Sequence, residues 1–189
     1  MKTRSATTRS AKAPNKKVPR ISVFLVILLF LPLVNHAQES SELFTLYLVR
    51  HAEKELNAED PKNPPLTPCG QERAASLEVL LAEVDLEAVY STDYLRTRGT
   101  AEPVARNKGL EIRLYDSKKL EDFARMLLER KEDALIVGHS NSTPALAGLL
   151  TGQQLEAMDE SIYNRVYQVV IHKESGRLHL LHTSFRCEE

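Results

Sequence analysis

The sequence predicts an α/β fold: a mostly parallel β-sheet with helices on both faces. Three observations predict it. Short apolar runs rich in β-branched and aromatic residues alternate with amphipathic stretches from residue 43 to residue 150. Helix start and stop residues punctuate the alternation, Thr67-Pro68 at one end and Gly109 and Gly152 at others. Finally, each strand-like run leads into polar residues fit to meet a ligand, and the carboxyl ends of strands are where such sheets bind.

Taken in order, residues 43–49 form the first strand, followed by a loop over 57–68 that carries Pro61, Pro64, Pro65 and Pro68. A helix starts with Thr67 as N-cap and Pro68 at its first position. It runs to about residue 84, with Leu77, Leu80, Leu81 and Val84 on one face. A second strand covers 88–91, and a helix over 94–108 is stopped by Gly109. The third strand spans 111–115. A helix over 117–130 follows, with Leu120, Phe123, Leu127 and Leu128 as its buried stripe. The fourth strand, 134–137, ends at Gly138-His139, and a helix over 143–150 stops near Gly152. Residues 163–171 and 178–183 read as two last strands, paired as a hairpin across Glu174-Ser175-Gly176.

Residues 1–37 differ in character from the rest. They carry seven Lys or Arg and no Asp or Glu, and lead into an apolar run over 21–34 broken only by Ser22 and Pro32. That pattern is a secretory leader, with Ala37 as the residue before cleavage; left uncleaved, the run would anchor the chain in a membrane through residues 21–34. The expected organisation is therefore 1–37 as signal peptide or anchor and 38–189 as one domain, exported to a periplasmic or extracellular location. Without the leader, 18 Lys and Arg face 26 Asp and Glu, a formal charge of −8 against −1 for the whole chain. So acidic a body argues against a nucleic-acid partner, whose phosphates select basic surfaces. A small phosphorylated substrate remains compatible, because a local cationic pocket can act within an acidic protein.

The strand ends carry the chemistry. The first delivers Arg50-His51, with Glu53 close behind. The second delivers Ser91-Thr92-Asp93, then Arg96 and Arg98 at the start of the next helix. The third delivers Asp116, and the fourth Gly138-His139-Ser140-Asn141. Arginine offers a planar, permanently charged fork that matches phosphate oxygens, and imidazole is a nucleophile when a hydrogen bond fixes its tautomer. Backbone amides at the helix start after His139 add donors for an anion. Phosphoryl transfer is the chemistry this set suits. Each residue alone has an ordinary alternative: Arg96 and Arg98 as solvated helix residues, Asn141 and Asp116 as helix caps. Which of His51 and His139 is the nucleophile is left open by these residues.

The segment Leu48-Val49-Arg50-His51-Ala52-Glu53 resembles the signature of the histidine phosphatase superfamily, also called phosphoglycerate-mutase-like. Pro65-Leu66-Thr67-Pro68-Cys69-Gly70-Gln71, the stretch from Tyr90 to Ala101, and Val137-Gly138-His139-Ser140-Asn141 are similar to its later motifs, in the same order. The resemblance covers residues 43–183. It implies a three-layer α/β/α sandwich, His51 as nucleophile through a phosphohistidine, and Arg50, Arg96 and His139 as phosphate-binding groups, with no metal or organic cofactor. It also implies a carboxylic acid that protonates the leaving oxygen. Asp116 is the first candidate, Glu53 the second and Glu121 the third. The stretch between Val104 and Leu120 is short where mutases of this type carry a cap, which favours a phosphatase with an open pocket.

The five histidines beyond the leader show no metal-ligand spacing with one another or with cysteine. Cys69 and Cys187 could pair in an oxidising compartment, geometry permitting. A phosphomonoesterase is the function expected, with a protein phosphohistidine phosphatase and a phosphate-binding module without turnover as alternatives.

Overall fold

The computed structural model describes residues 43–173 and 175–187. The leader expected over residues 1–37 lies outside the described residues. Chain order runs β1 (Leu43–Arg50), α1 (Pro68–Leu80), β2 (Ala88–Ser91), α2 (Leu95–Lys108), β3 (Ile112–Leu114), α3 (Leu120–Arg130), β4 (Ala134–Gly138), α4 (Ser142–Thr151), β5 (Arg165–His172) and β6 (Ser175–His182).

The strands form one sheet in the order β3-β2-β4-β1-β5-β6. β3, β2, β4 and β1 are parallel to their neighbours, whereas β5 runs antiparallel to β1 and β6 antiparallel to β5. The expected parallel sheet is thus present, and the expected hairpin extends one edge of it.

Side-chain alternation along the strands builds two cores. Phe44, Leu46 and Leu48 of β1 and Ala134 and Ile136 of β4 meet Phe123 and Leu127 of α3 and Leu146 and Leu150 of α4. On the opposite face, Val49 of β1, Leu135 and Val137 of β4 and Val89 of β2 meet Leu77 of α1 and Ala101 and Val104 of α2. The three layers follow directly. Burial of each large aliphatic side chain contributes about 1.5–3 kcal/mol. Burial on both faces is also why β4 reads as an unbroken apolar run rather than an alternating one.

Two helices are shorter than the periodicity suggests. α1 ends at Leu80, and Leu80 is exposed while Leu77 and Leu81 are buried. At 100° per residue Leu80 lies roughly 90° around the helix from the line through Ala74, Leu77 and Leu81, off the face that meets the sheet. α3 starts at Leu120 because residues 116–119 form a turn: Asp116 Oδ1 accepts from the Lys118 N–H at 2.9 Å and its carbonyl from Lys119 at 3.0 Å.

Two glycines are dictated by space. A Cβ at Gly70 would lie 2.2 Å from the Glu53 carbonyl oxygen. The Thr67 cap bonds at this contact too, its N–H donating to that carbonyl at 2.9 Å and its Oγ1 accepting from the Gly70 N–H at 3.0 Å. At Gly138 a Cβ would meet the Tyr115 hydroxyl at 2.7 Å and Thr143 Oγ1 at 2.9 Å. Cys69 and Cys187 form a disulfide with Cα atoms 5.7 Å apart, joining the first turn of α1 to the C-terminal segment across 118 residues. Closing so long a loop stabilises the fold by about 2–4 kcal/mol in the usual case.

Candidate active site

Sheet register brings the strand ends together. Arg50 of β1 pairs with Gly138 of the adjacent β4, so His51 and His139 leave neighbouring parallel strands at the same level. The His51 N–H continues the ladder by donating to the Gly138 carbonyl at 3.0 Å, and the two imidazole rings stand edge to face with centroids 5.6 Å apart. β2, on the other side of β4, ends in register with it, Ser91 opposite Val137, and passes Thr92, Tyr94 and Arg96 into the same region.

His51 is 3 % exposed. Its Nδ1 donates to the Ala52 carbonyl at 2.8 Å, and the Ala52 N–H is itself anchored on Thr100 Oγ1 at 2.9 Å. That bond assigns the proton to Nδ1 and leaves the Nε2 lone pair free. Burial pushes the His51 pKa down to about 3; the positive charges of Arg50 and Arg96 and the neighbouring His139 push the same way, against the Ala52 carbonyl. His139 is held by Thr92 Oγ1, 3.0 Å from its Nε2, and its backbone N–H donates to Ser142 Oγ at 3.0 Å. Its pKa falls to about 4, again first through burial and then through Arg96, Arg50 and Lys54, with Glu160 opposing. Both rings are therefore neutral near pH 7.

The arginines are fixed differently. Arg50 is buried, its guanidinium 4.2 Å from the Tyr163 ring centroid. Its Nη1 donates to the carbonyls of Asp159, Glu160 and Ile162 at 3.3, 2.8 and 3.1 Å, and its Nη2 pairs with the Glu160 carboxylate. Arg96 packs over the Tyr94 ring at 4.4 Å and reaches the Lys62 carbonyl at 3.4 Å. In both arginines Nε is buried and has no hydrogen-bond partner among the described residues. A buried unpaired N–H costs about 1–3 kcal/mol, so these two donors mark where an acceptor belongs.

The other residues singled out in the sequence sit elsewhere. Glu53 receives Arg73 through bonds of 3.0, 2.8 and 2.6 Å, and Arg73 continues to the Phe185 carbonyl at 3.2 Å, so this carboxylate serves the contact between α1 and the C-terminal segment. Asp116 is exposed and caps the turn before α3. It lines a cavity of about 540 Å³ with Thr92, Tyr94 and Lys118 but makes no hydrogen bond or ion pair to the histidines or arginines of the site. Glu121 is an exposed first-turn residue of α3. Arg98 pairs with Asp93 at the surface, 3.3 Å apart. Sequence reading missed Glu160, whose carboxylate also accepts from Ser140 Oγ at 2.5 Å, as well as Tyr94, Tyr163 and Lys54. Only Ser140 and Tyr94 lie inside segments whose pattern drew notice.

Residues 46–117 match the family model of the histidine phosphatase superfamily (branch 1). Over that stretch, which includes Arg50, His51 and Arg96, the chain is similar to the histidine phosphatase superfamily. Among its relatives is the probable phosphoglycerate mutase GpmB of Escherichia coli, 33 % identical over 103 residues, which are 52 % of this chain and 47 % of that protein. The chain thus spans about half the length of the curated relatives it matches. Solved structures of similar fold include a putative alpha-ribazole-5'-P phosphatase from Escherichia coli (TM-score 0.63, 20 % identity, 77 % of this chain and 99 % of that one). The protein histidine phosphatase SixA complexed with tungstate is another (TM-score 0.63, 18 % identity, 74 % and 97 %). The mixed α/β sheet of this chain is the one those neighbours share.

For a histidine whose folded-state pKa lies below its unfolded value of about 6.5, the folded state binds fewer protons, so stability is lost as pH falls through that window. Acidification from pH 6.5 towards 4 should therefore destabilise the protein, and an NMR titration should show both His51 and His139 unprotonated above about pH 5. A midpoint near 6.5 for either ring contradicts the burial described.

Proposed function

We propose that this protein is an exported phosphatase that hydrolyses phosphomonoesters without a metal, through a phosphohistidine on His51. The observation that carries the reading is the pair of buried, unpartnered Nε–H groups of Arg50 and Arg96 beside two neutral histidines. Arg50, Arg96 and His139 bind the phosphoryl oxygens. The His51 Nε2 lone pair attacks phosphorus, the bond to the leaving oxygen breaks, and water then attacks the phosphohistidine to release inorganic phosphate. Two guanidinium groups supply the positive charge that a bound cation supplies in other phosphatases. That the structurally similar SixA was captured with tungstate, a tetrahedral oxyanion, supports a fold that receives oxyanions.

A protein phosphohistidine as substrate is the second reading. The connection from α2 to α3 is only residues 109–119, β3 included, which favours an open site able to receive a bulky phosphorylated group. Export is supported by the basic and apolar pattern of residues 1–37 and by the Cys69–Cys187 pair, since disulfides persist in oxidising compartments. Cell fractionation checks it: the protein should be absent from the cytoplasm, and confinement there overturns the export reading.

The catalytic reading predicts hydrolysis of an aryl phosphate in the presence of a chelator. His51→Ala should lower kcat/KM by at least about 10³-fold in that assay. A variant that stays within about tenfold of the wild type refutes the nucleophile.

A further inference from the structure

None of the three acids expected from the sequence reaches the phosphate-binding groups, and one unexpected carboxylate does. Glu160 lies in the segment between α4 and β5, which is pinned on both sides of it. The Met158 N–H donates to the Ser140 carbonyl at 2.8 Å with its side chain buried, while Ile162 packs against the core and Tyr163 covers Arg50. One Glu160 oxygen sits on Arg50 Nη2 and the other accepts from Ser140 Oγ at 2.5 Å. The carboxylate thus bridges the residue before His51 and the residue after His139. It acts electrostatically on His139 and Arg96 and feels Lys54, so it belongs to the same ring of charges. Yet its side chain is 70 % exposed, whereas that of Arg50 is 1 % exposed. It is held at the rim, where a leaving group departs and water arrives.

From this placement we propose that Glu160 is the proton shuttle of the reaction. The assignment rests on the phosphatase reading above. A phosphomonoester monoanion arriving at Arg50 takes over the guanidinium from the carboxylate and passes its proton to it. The His51 Nε2 lone pair then forms the bond to phosphorus as the ester P–O bond breaks, and the departing oxygen takes the proton from Glu160, leaving as an alcohol. In the second half a water attacks phosphorus and gives one proton to the Glu160 carboxylate. The P–Nε2 bond breaks, and phosphate departs with that proton. The balance is one ester and one water in, one alcohol and one dihydrogen phosphate out. Glu160 cycles between carboxylate and acid, and His51 is restored.

A proton donor matters most when the leaving oxygen is basic, and a residue that merely positions Arg50 matters equally for every ester. The test is therefore a series of substituted phenyl phosphates, from nitrophenyl to methoxyphenyl, on the full-length wild type and on Glu160→Gln. Glu160→Gln should cost about 10²-fold or more in kcat for the least acidic phenol and less than about tenfold for nitrophenyl phosphate. The plot of log kcat against phenol acidity should steepen accordingly, and KM should not rise, because a negative charge beside the phosphate site is removed. The nitrophenyl ester doubles as the control that the variant is folded. Equal loss across the series overturns the assignment in favour of a positioning role, and no loss anywhere overturns it outright. A wild type inactive on every ester overturns the phosphatase reading itself, and this assignment with it.

Discussion

The in-register pairing of β1 with β4 is the constraint on which the site depends. Arg50 opposite Gly138 sets His51 and His139 at one level on neighbouring strands, and the His51 N–H closes on the Gly138 carbonyl. A slip of one residue would turn Arg50 and His51 to the opposite faces and move the apolar side chains of β1 between the two cores. That register is secured by burial rather than by the site residues themselves, since β1 and β4 feed both hydrophobic layers. The absence of a Cβ at Gly138 lets Tyr115, Ser142 and Thr143 close around the turn that presents His139.

Burial also sets the electrostatics. The same enclosure that holds Arg50 and His51 strips water from the imidazoles and keeps them neutral, while guanidinium stays charged at any pH the protein meets. A cationic pocket with two neutral histidines is the combination that accepts an anion and leaves a lone pair free to attack it. Its charge is local: Arg50, Arg96 and Lys54 act together within a body that is acidic as a whole, so the field at the site opposes that of its surroundings.

What could be read from the sequence follows the reach of local rules. Arg50, His51, Arg96 and His139 were legible because they sit at the last residue of, or one to five residues past, strands whose apolar runs are plain, and strand ends in parallel sheets converge. The proposed acid, Glu160, was not legible, because nearness in sequence carries no direction. Glu53 follows His51 by two residues yet turns to Arg73 and the C-terminal segment, and Asp116 spends its carboxylate on the turn before α3. Glu160 and Tyr163 return from a segment without periodicity, 110 or more residues after β1 ends, and only the packing of Met158 and Ile162 decides where they land. The disulfide was open for the same reason: 118 residues separate its partners, and only the folded path of the C-terminus brings them to bonding distance.

The central claim is that His51, and not its neighbour across the strand pair, carries the phosphoryl group. Rapid acid-free quenching of a single turnover with an aryl phosphate, followed by peptide mapping under conditions that preserve phosphohistidine, tests it most directly. The account predicts an acid-labile phosphoryl group on His51 that appears with the first product and decays as inorganic phosphate is released. Phosphoryl on His139 instead, or turnover with no phosphoenzyme on His51 at any time, would contradict it.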